Sequence, residues 1–290
     1  HSIVYALNIT DEVKEAAITE AKRQGYIFHA DTPLFMLQNA ELIKQSAEKD
    51  INTINFVPEG FWTNELASFV YQLTLKNRYI LTSDSPIFLR SDVEIIKQTL
   101  KLDKNSGVNI IWKNISPEAL VDIEKYIVDN HLDYIINLNS PINFKRNIDM
   151  CIISAKNDPN SVNYFDWSYL EKNQEENERL YTALIDQQYV LNYNSPDALK
   201  NNTKICLNSI KNSLHSARYF SEDIQYWLTE NLEEFPIEEQ EDNNIKERLY
   251  EIRHFLLKNG YYSLEQIFKF SISILNDEYL LDYYINQVGI

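Results

Sequence analysis

A segment of 19 residues recurs in this chain, and it restricts the fold more than any other feature. YIFHADTPLFMLQNAELIK (Tyr26 to Lys44) lies over YILTSDSPIFLRSDVEIIK (Tyr79 to Lys97) with 8 identities in 19 positions. A third copy, YIINLNSPINFKRNIDMCI from Tyr134, keeps Tyr, Ile, Pro and the apolar spacing but carries Asn139 where the others carry Asp31 and Asp84. The offsets are 53 and 55 residues. A period of that length marks one supersecondary unit that buries its apolar face against the next copy.

Within each copy, short apolar runs alternate with amphipathic stretches. Ser2–Asn8, Tyr26–His29, Thr53–Val57, Tyr79–Thr82, Val108–Trp112 and Tyr134–Asn137 read as strands. Between them, Thr10–Gln24, a stretch ending near Lys49, Thr63–Lys76, Pro86 to Leu100 and Pro117–Asp129 read as helices. The expected fold class is therefore α/β followed by all-α, with three β-α-β-α repeats forming a mostly parallel sheet. Asn147–Ser154 reads as an edge strand and Asp158–Ser161 as a linker, so the α/β domain is expected over 1–160. Helices alone are expected over 161–290, the last behind a capping box at Ser263 and Gln266.

Composition then removes whole classes of function. Five isolated glycines leave no glycine loop to cradle a nucleotide. Gly25, Gly107 and Gly260 follow polar segments as helix-end caps would. A net charge of -16 opposes binding to nucleic acid and favours a basic protein partner or none. No run is long and apolar enough for a membrane span, and the first residues lack a signal-peptide profile. Two cysteines, Cys151 and Cys206, suit a reducing compartment, so the expected location is cytoplasmic.

Candidate chemistry centres on Asp-[Ser/Thr]-Pro-[Leu/Ile]-Phe. Beyond the carboxyl ends of parallel strands, Asp31 and Asp84 could hold Mg²⁺ or Mn²⁺ or share acid/base work, with His29 beside them. The competing reading takes Thr32-Pro33, Ser85-Pro86, Ser116-Pro117, Ser140-Pro141 and Ser195-Pro196 as helix starts, with a capping hydroxyl and proline in the first turn. Glu41 with Lys44 and Glu94 with Lys97 read as surface pairs. Glu233–Asp242 is an acidic, solvated loop.

Arg248 and His254 stand at an Arg-x5-His spacing that resembles the catalytic pair of HEPN-type ribonucleases, and the resemblance implies RNA cleavage by those two residues. The residues themselves favour a protein-binding module or inhibitor of the immunity or adaptor type, using an acidic surface rich in tyrosine (19 of them). The alternative is a metal-dependent transferase or hydrolase on a phosphorylated or sugar-nucleotide substrate, glycosyltransferase-like, working through Asp31 and Asp84.

Overall fold

The computed structural model describes residues 9–172, 174–229, 248, 251–256, 258 and 259. Over residues 9–229 fourteen α-helices follow one another: α1 (Asp11–Gln24), α2 (Leu34–Leu37), α3 (Ala40–Lys49), α4 (Asn64–Lys76), α5 (Ile87–Arg90), α6 (Val93–Leu102), α7 (Pro117–Asp129), α8 (Ile142–Arg146), α9 (Ile148–Asn157), α10 (Trp167–Leu170), α11 (Gln174–Asp186), α12 (Asp197–Lys200), α13 (Thr203–Asn212) and α14 (Glu222–Thr229); residues 248, 251–256 and 258 are helical as well. Short 3₁₀ turns lie between some of them, and no residue among those described is in a strand. The expected parallel sheet is therefore absent, and with it the α/β domain over 1–160. The strand expected at Ser2–Asn8, the acidic loop, the cap at Ser263 and Gly260 lie outside the described residues.

The repeat itself is real, and it is helical. Each copy runs from a long helix through an irregular, Tyr-led segment to a turn, a one-turn helix, a ten-residue helix and a 3₁₀ turn. The described residues hold four copies rather than three: Tyr189, Ser195-Pro196 and Cys206 stand 55 residues beyond Tyr134, Ser140-Pro141 and Cys151. The chain divides into two compact units, His1–Tyr134 with Asn139–Pro141, and Ile135–Leu138 with Ile142–Ile290. In the first, α3 packs on α1 and α4, α4 on α6, and α6 on α7; in the second, α9 packs on α8 and α11, and α11 on α13. Contacts thus run between sequence neighbours, as in repeat arrays.

The Tyr-led segments look like strands because burial alternates along them. Phe28 is buried beside exposed Ile27, and Leu81 is buried beside exposed Ile80. Their backbone donors, which a sheet ladder would have satisfied, go to hydroxyls instead. Phe28 donates to Ser46 Oγ at 2.9 Å, Leu81 to Thr99 Oγ1 at 3.4 Å, Ile136 to Ser154 Oγ at 2.8 Å and Leu191 to Ser209 Oγ at 2.8 Å. Each hydroxyl sits 18 residues along the chain, wholly buried on the ten-residue helix of its own copy. The other expected strands are mostly helical: Ile51–Phe56 is a 3₁₀ turn, Val108–Trp112 spans the end of one 3₁₀ turn and the start of another, and Asn147–Ser154 is the N-cap and first part of α9.

Asx residues frame the ten-residue helices. Asn39, Asp92, Asn147 and Asn202 cap their N-termini through the side chain. At the far end Asp50, Asp103 and Asp158 close the helix with their own N–H; Asp50 and Asp158 also cap the next 3₁₀ turn, while Asp103 accepts from the Asn105 N–H just before the turn that follows it, so Asp158–Ser161 is a structured junction and not a linker. Cys151 and Cys206 occupy the place of Ile43 and Ile96 and are buried as they are, with burial pushing both thiols well above the usual range.

The long helices end in a left-handed residue: Gly25 in the first copy, but Arg78, His131 and Gln188 in the others. Glycine adopts this conformation without the Cβ clash that costs other residues ~1–2 kcal/mol. Gln188→Gly should therefore raise stability by about 0.5–1 kcal/mol once glycine's greater freedom in the unfolded chain is subtracted, read as a higher denaturant midpoint at unchanged slope. Gly107, expected as a cap, instead lies in a 3₁₀ turn, where an added Cβ would meet the Tyr134 ring at 3.0 Å.

Candidate functional site

Every copy builds its turn on the same tyrosine and Ser/Thr hydroxyls, buried in the last three described copies and half-buried in the first. The Tyr79, Tyr134 and Tyr189 hydroxyls meet Ser85, Ser140 and Ser195 Oγ at 2.6, 2.9 and 2.7 Å, and Tyr26 meets Thr32 Oγ1 at 3.4 Å. The same Ser/Thr oxygens accept the backbone N–H of His29, Thr82 and Asn192, three residues earlier. In these three copies the hydroxyl before proline therefore anchors the turn from inside; it does not cap the next helix. Pro33, Pro86 and Pro196 are themselves the N-cap residues, without a side-chain cap. Ser116-Pro117 keeps the expected form, with Ser116 Oγ accepting from Ala119 N–H and proline in the first turn.

A basic side chain straps the turn from outside. Arg90 donates to the Ser83 carbonyl at 3.0 Å, Lys145 to Leu138 at 2.9 Å and Lys200 to Tyr193 at 3.1 Å. The next segment is tied on by Ile111, Asp166 and Ser221, whose N–H groups donate to the carbonyls of Arg90, Lys145 and Lys200. The first copy has Pro58 at that position, which has no N–H to give.

So held, the turns expose apolar side chains at equivalent places. After the proline come Leu34 (57% exposed), Ile87 (45%) and Ile142 (54%); earlier in the turn come Leu138 (76%) and Tyr193 (80%). Asp31 and Asp84 stand among them, both exposed, one in each of two successive turns, and the matching residues in the last two copies are Asn139 and Asn194. His29 and Asp31 do meet: the Asp31 N–H donates to His29 Nδ1 at 3.2 Å. An accepting Nδ1 places the proton on Nε2, which lies 2.6 Å from the Tyr26 hydroxyl. The ring of His29 is thus part of the turn's own bonding. Among the described residues no group of three or more His, Cys, Asp or Glu is placed to hold a metal. With no sheet there are no strand ends to gather carboxylates.

Glu41 and Glu94 lie 3.5 Å from Lys44 and Lys97 as expected, but each lysine makes a shorter bond to the next long helix, to Glu65 at 2.9 Å and to Asp122 at 2.7 Å. The ammonium groups also lie over Phe69 and Tyr126.

The second unit carries a cleft of about 650 Å³ beside the turn of the fourth copy. Tyr193, Asn201 and Glu171 line it together with Tyr219, Glu222 and Asp223. None of these residues stood out in the sequence, although the position of Tyr193 within the repeat was readable. Arg248 and His254 are half-buried helical residues and do not line it. No family model, curated protein or solved structure matches the chain. No helix among the described residues is long and apolar enough to cross a membrane.

Proposed function

We propose that the chain is a protein-binding repeat module whose turn edges contact a basic partner. One observation carries this reading: four turns built on the same pair of hydroxyls hold Leu34, Ile87, Leu138, Ile142 and Tyr193 out into water. Exposing large apolar groups on rigid supports costs solubility and gives a partner pre-organised anchors. The replacement of Asp31 and Asp84 by Asn139 and Asn194 fits a scaffold, which needs the turn geometry and not the carboxylate. The charge of -16 speeds association with a cationic partner. Two buried thiols and the lack of other cysteines agree with work in a reducing compartment such as the cytoplasm.

The test is selection of peptides from a displayed random library on the full chain, followed by affinity measurements on two edge variants, Leu34→Ser with Ile87→Ser and Leu138→Ser with Ile142→Ser. Exposed sites of this kind leave folding nearly unchanged, which circular dichroism would check. Selected peptides should bind at least one variant about tenfold more weakly, the loss expected for ~1.4 kcal/mol of anchor contact. An empty selection, or peptides indifferent to both variants, would overturn the reading.

A further inference from the structure

Resting on that reading, we propose that the cleft of the second unit seats an arginine side chain of the partner. The repeat supplies the argument. In the third copy Arg146 ends α8, pairs with Asp166 at 2.7 Å and stacks over the Tyr169 ring at 5.0 Å. The chain thus shows a carboxylate and an aromatic face holding a guanidinium beside a repeat turn. In the fourth copy the residue equivalent to Arg146 is Asn201, and the one equivalent to Asp166 is Ser221, whose hydroxyl donates to Asn201 Oδ1 at 2.9 Å. Both line the cleft. The fourth copy thus has a short asparagine where the preceding copy has its arginine, and Ile224 where that copy has Tyr169, so the cleft takes its aromatic face from Tyr193 instead.

The walls of that space suit the same group. Tyr193 offers an exposed ring face, whereas the Tyr219 ring already carries Arg218 at 5.8 Å; Glu171, Glu222 and Asp223 have no ion-pair partner among the described residues. The two cations present are already engaged. Lys200 straps the Tyr193 carbonyl and lies 3.7 Å from Asp197, and Arg218 is bonded to the carbonyl and ring of His215. An incoming guanidinium would find uncompensated carboxylates for its planar fork and an aromatic face for stacking. A lysine ammonium would use only the charge.

Fluorescence anisotropy of three labelled nine-residue peptides on the full chain tests this: one of alternating glycine and arginine, and the same with lysine or citrulline in place of arginine. The arginine peptide should bind about tenfold more tightly than the lysine peptide, and the citrulline peptide should not bind. Tyr193→Ala, and Glu222→Gln with Asp223→Asn, should each weaken the arginine peptide about tenfold. Asn201→Arg, which restores the residue type of the preceding copy, should abolish binding by filling the cleft from within. Equal binding of the arginine and lysine peptides, untouched by Tyr193→Ala, would show only attraction to an acidic protein and overturn the proposal, as would no binding. Library peptides that depend on Leu138 or Leu34 yet lack arginine and ignore Asn201→Arg would sink the arginine site while leaving the binding module standing.

Discussion

Ser154→Ala should cost about 2–4 kcal/mol, well above the usual price of an alanine substitution at serine, because two buried polar groups lose their only partner in this hydroxyl's place. Ser154 Oγ accepts the Ile136 N–H at 2.8 Å and donates to Ser161 Oγ at 2.7 Å, and both serines are buried. Each group stranded away from water costs ~1–3 kcal/mol, whereas the methyl left behind recovers little. Ser154→Thr is the control, since Thr99 performs the same task in the second copy. Urea unfolding should give a lower midpoint for the alanine variant and a nearly unchanged one for threonine. Equal midpoints for wild type and alanine would mean that water reaches Ile136, and the hydroxyls would then not be what replaces a sheet.

That replacement also explains which parts of the fold were legible. The long helices were, because capping and periodicity agree: Thr10, Thr63 and Ser116 each accept from the N–H three residues on, ahead of an amphipathic run. The Tyr-led segments were not, because alternating burial is the same physical signal whether a neighbouring strand or a serine satisfies the backbone. Sequence did hold the distinguishing mark. Ser46, Thr99, Ser154 and Ser209 put a hydroxyl at one fixed place in an otherwise apolar helix face, 20 residues after the tyrosine each time. The fourth copy escaped notice because Asn194 and Ala198 replace the Asp and Phe that made the first two copies conspicuous, although its Tyr, Ser and Pro keep their spacing. At the candidate site, the recurring apolar residue after proline was in view within the Asp-[Ser/Thr]-Pro-[Leu/Ile]-Phe motif, but the sequence does not say which way it faces; the turn geometry turns Leu34, Ile87 and Ile142 outward. The cleft is lined by Asn201 where the third copy has Arg146, a comparison that has meaning only once the fourth copy is recognised.

Raising the pH should unfold the protein cooperatively above about pH 10, and the tyrosines at the heart of the repeats are the reason. Burial pushes the phenols of Tyr79, Tyr134 and Tyr189 upward, only partly opposed by the hydroxyls of Ser85, Ser140 and Ser195, and burial with the nearby charge of Glu171 pushes Tyr181 up to about 12. A folded-state pKa above the unfolded value near 10 means that the folded chain holds its proton more tightly. The stability this represents is complete below pH ~10 and is lost as the pH rises towards the folded value, at ~1.4 kcal/mol per pH unit for each such tyrosine. With four of them the slope is steep. Phenolate absorption at 295 nm should therefore show a late group of tyrosines ionising together with the loss of the helical signal at 222 nm. Tyr134→Phe, which removes one of these ionisations, should move that joint transition to higher pH after correction for its effect at neutral pH. If the late phenols ionised while the helical signal held, the Tyr–Ser pairs would be open to water and could not be what fixes the turns that carry the exposed apolar edge.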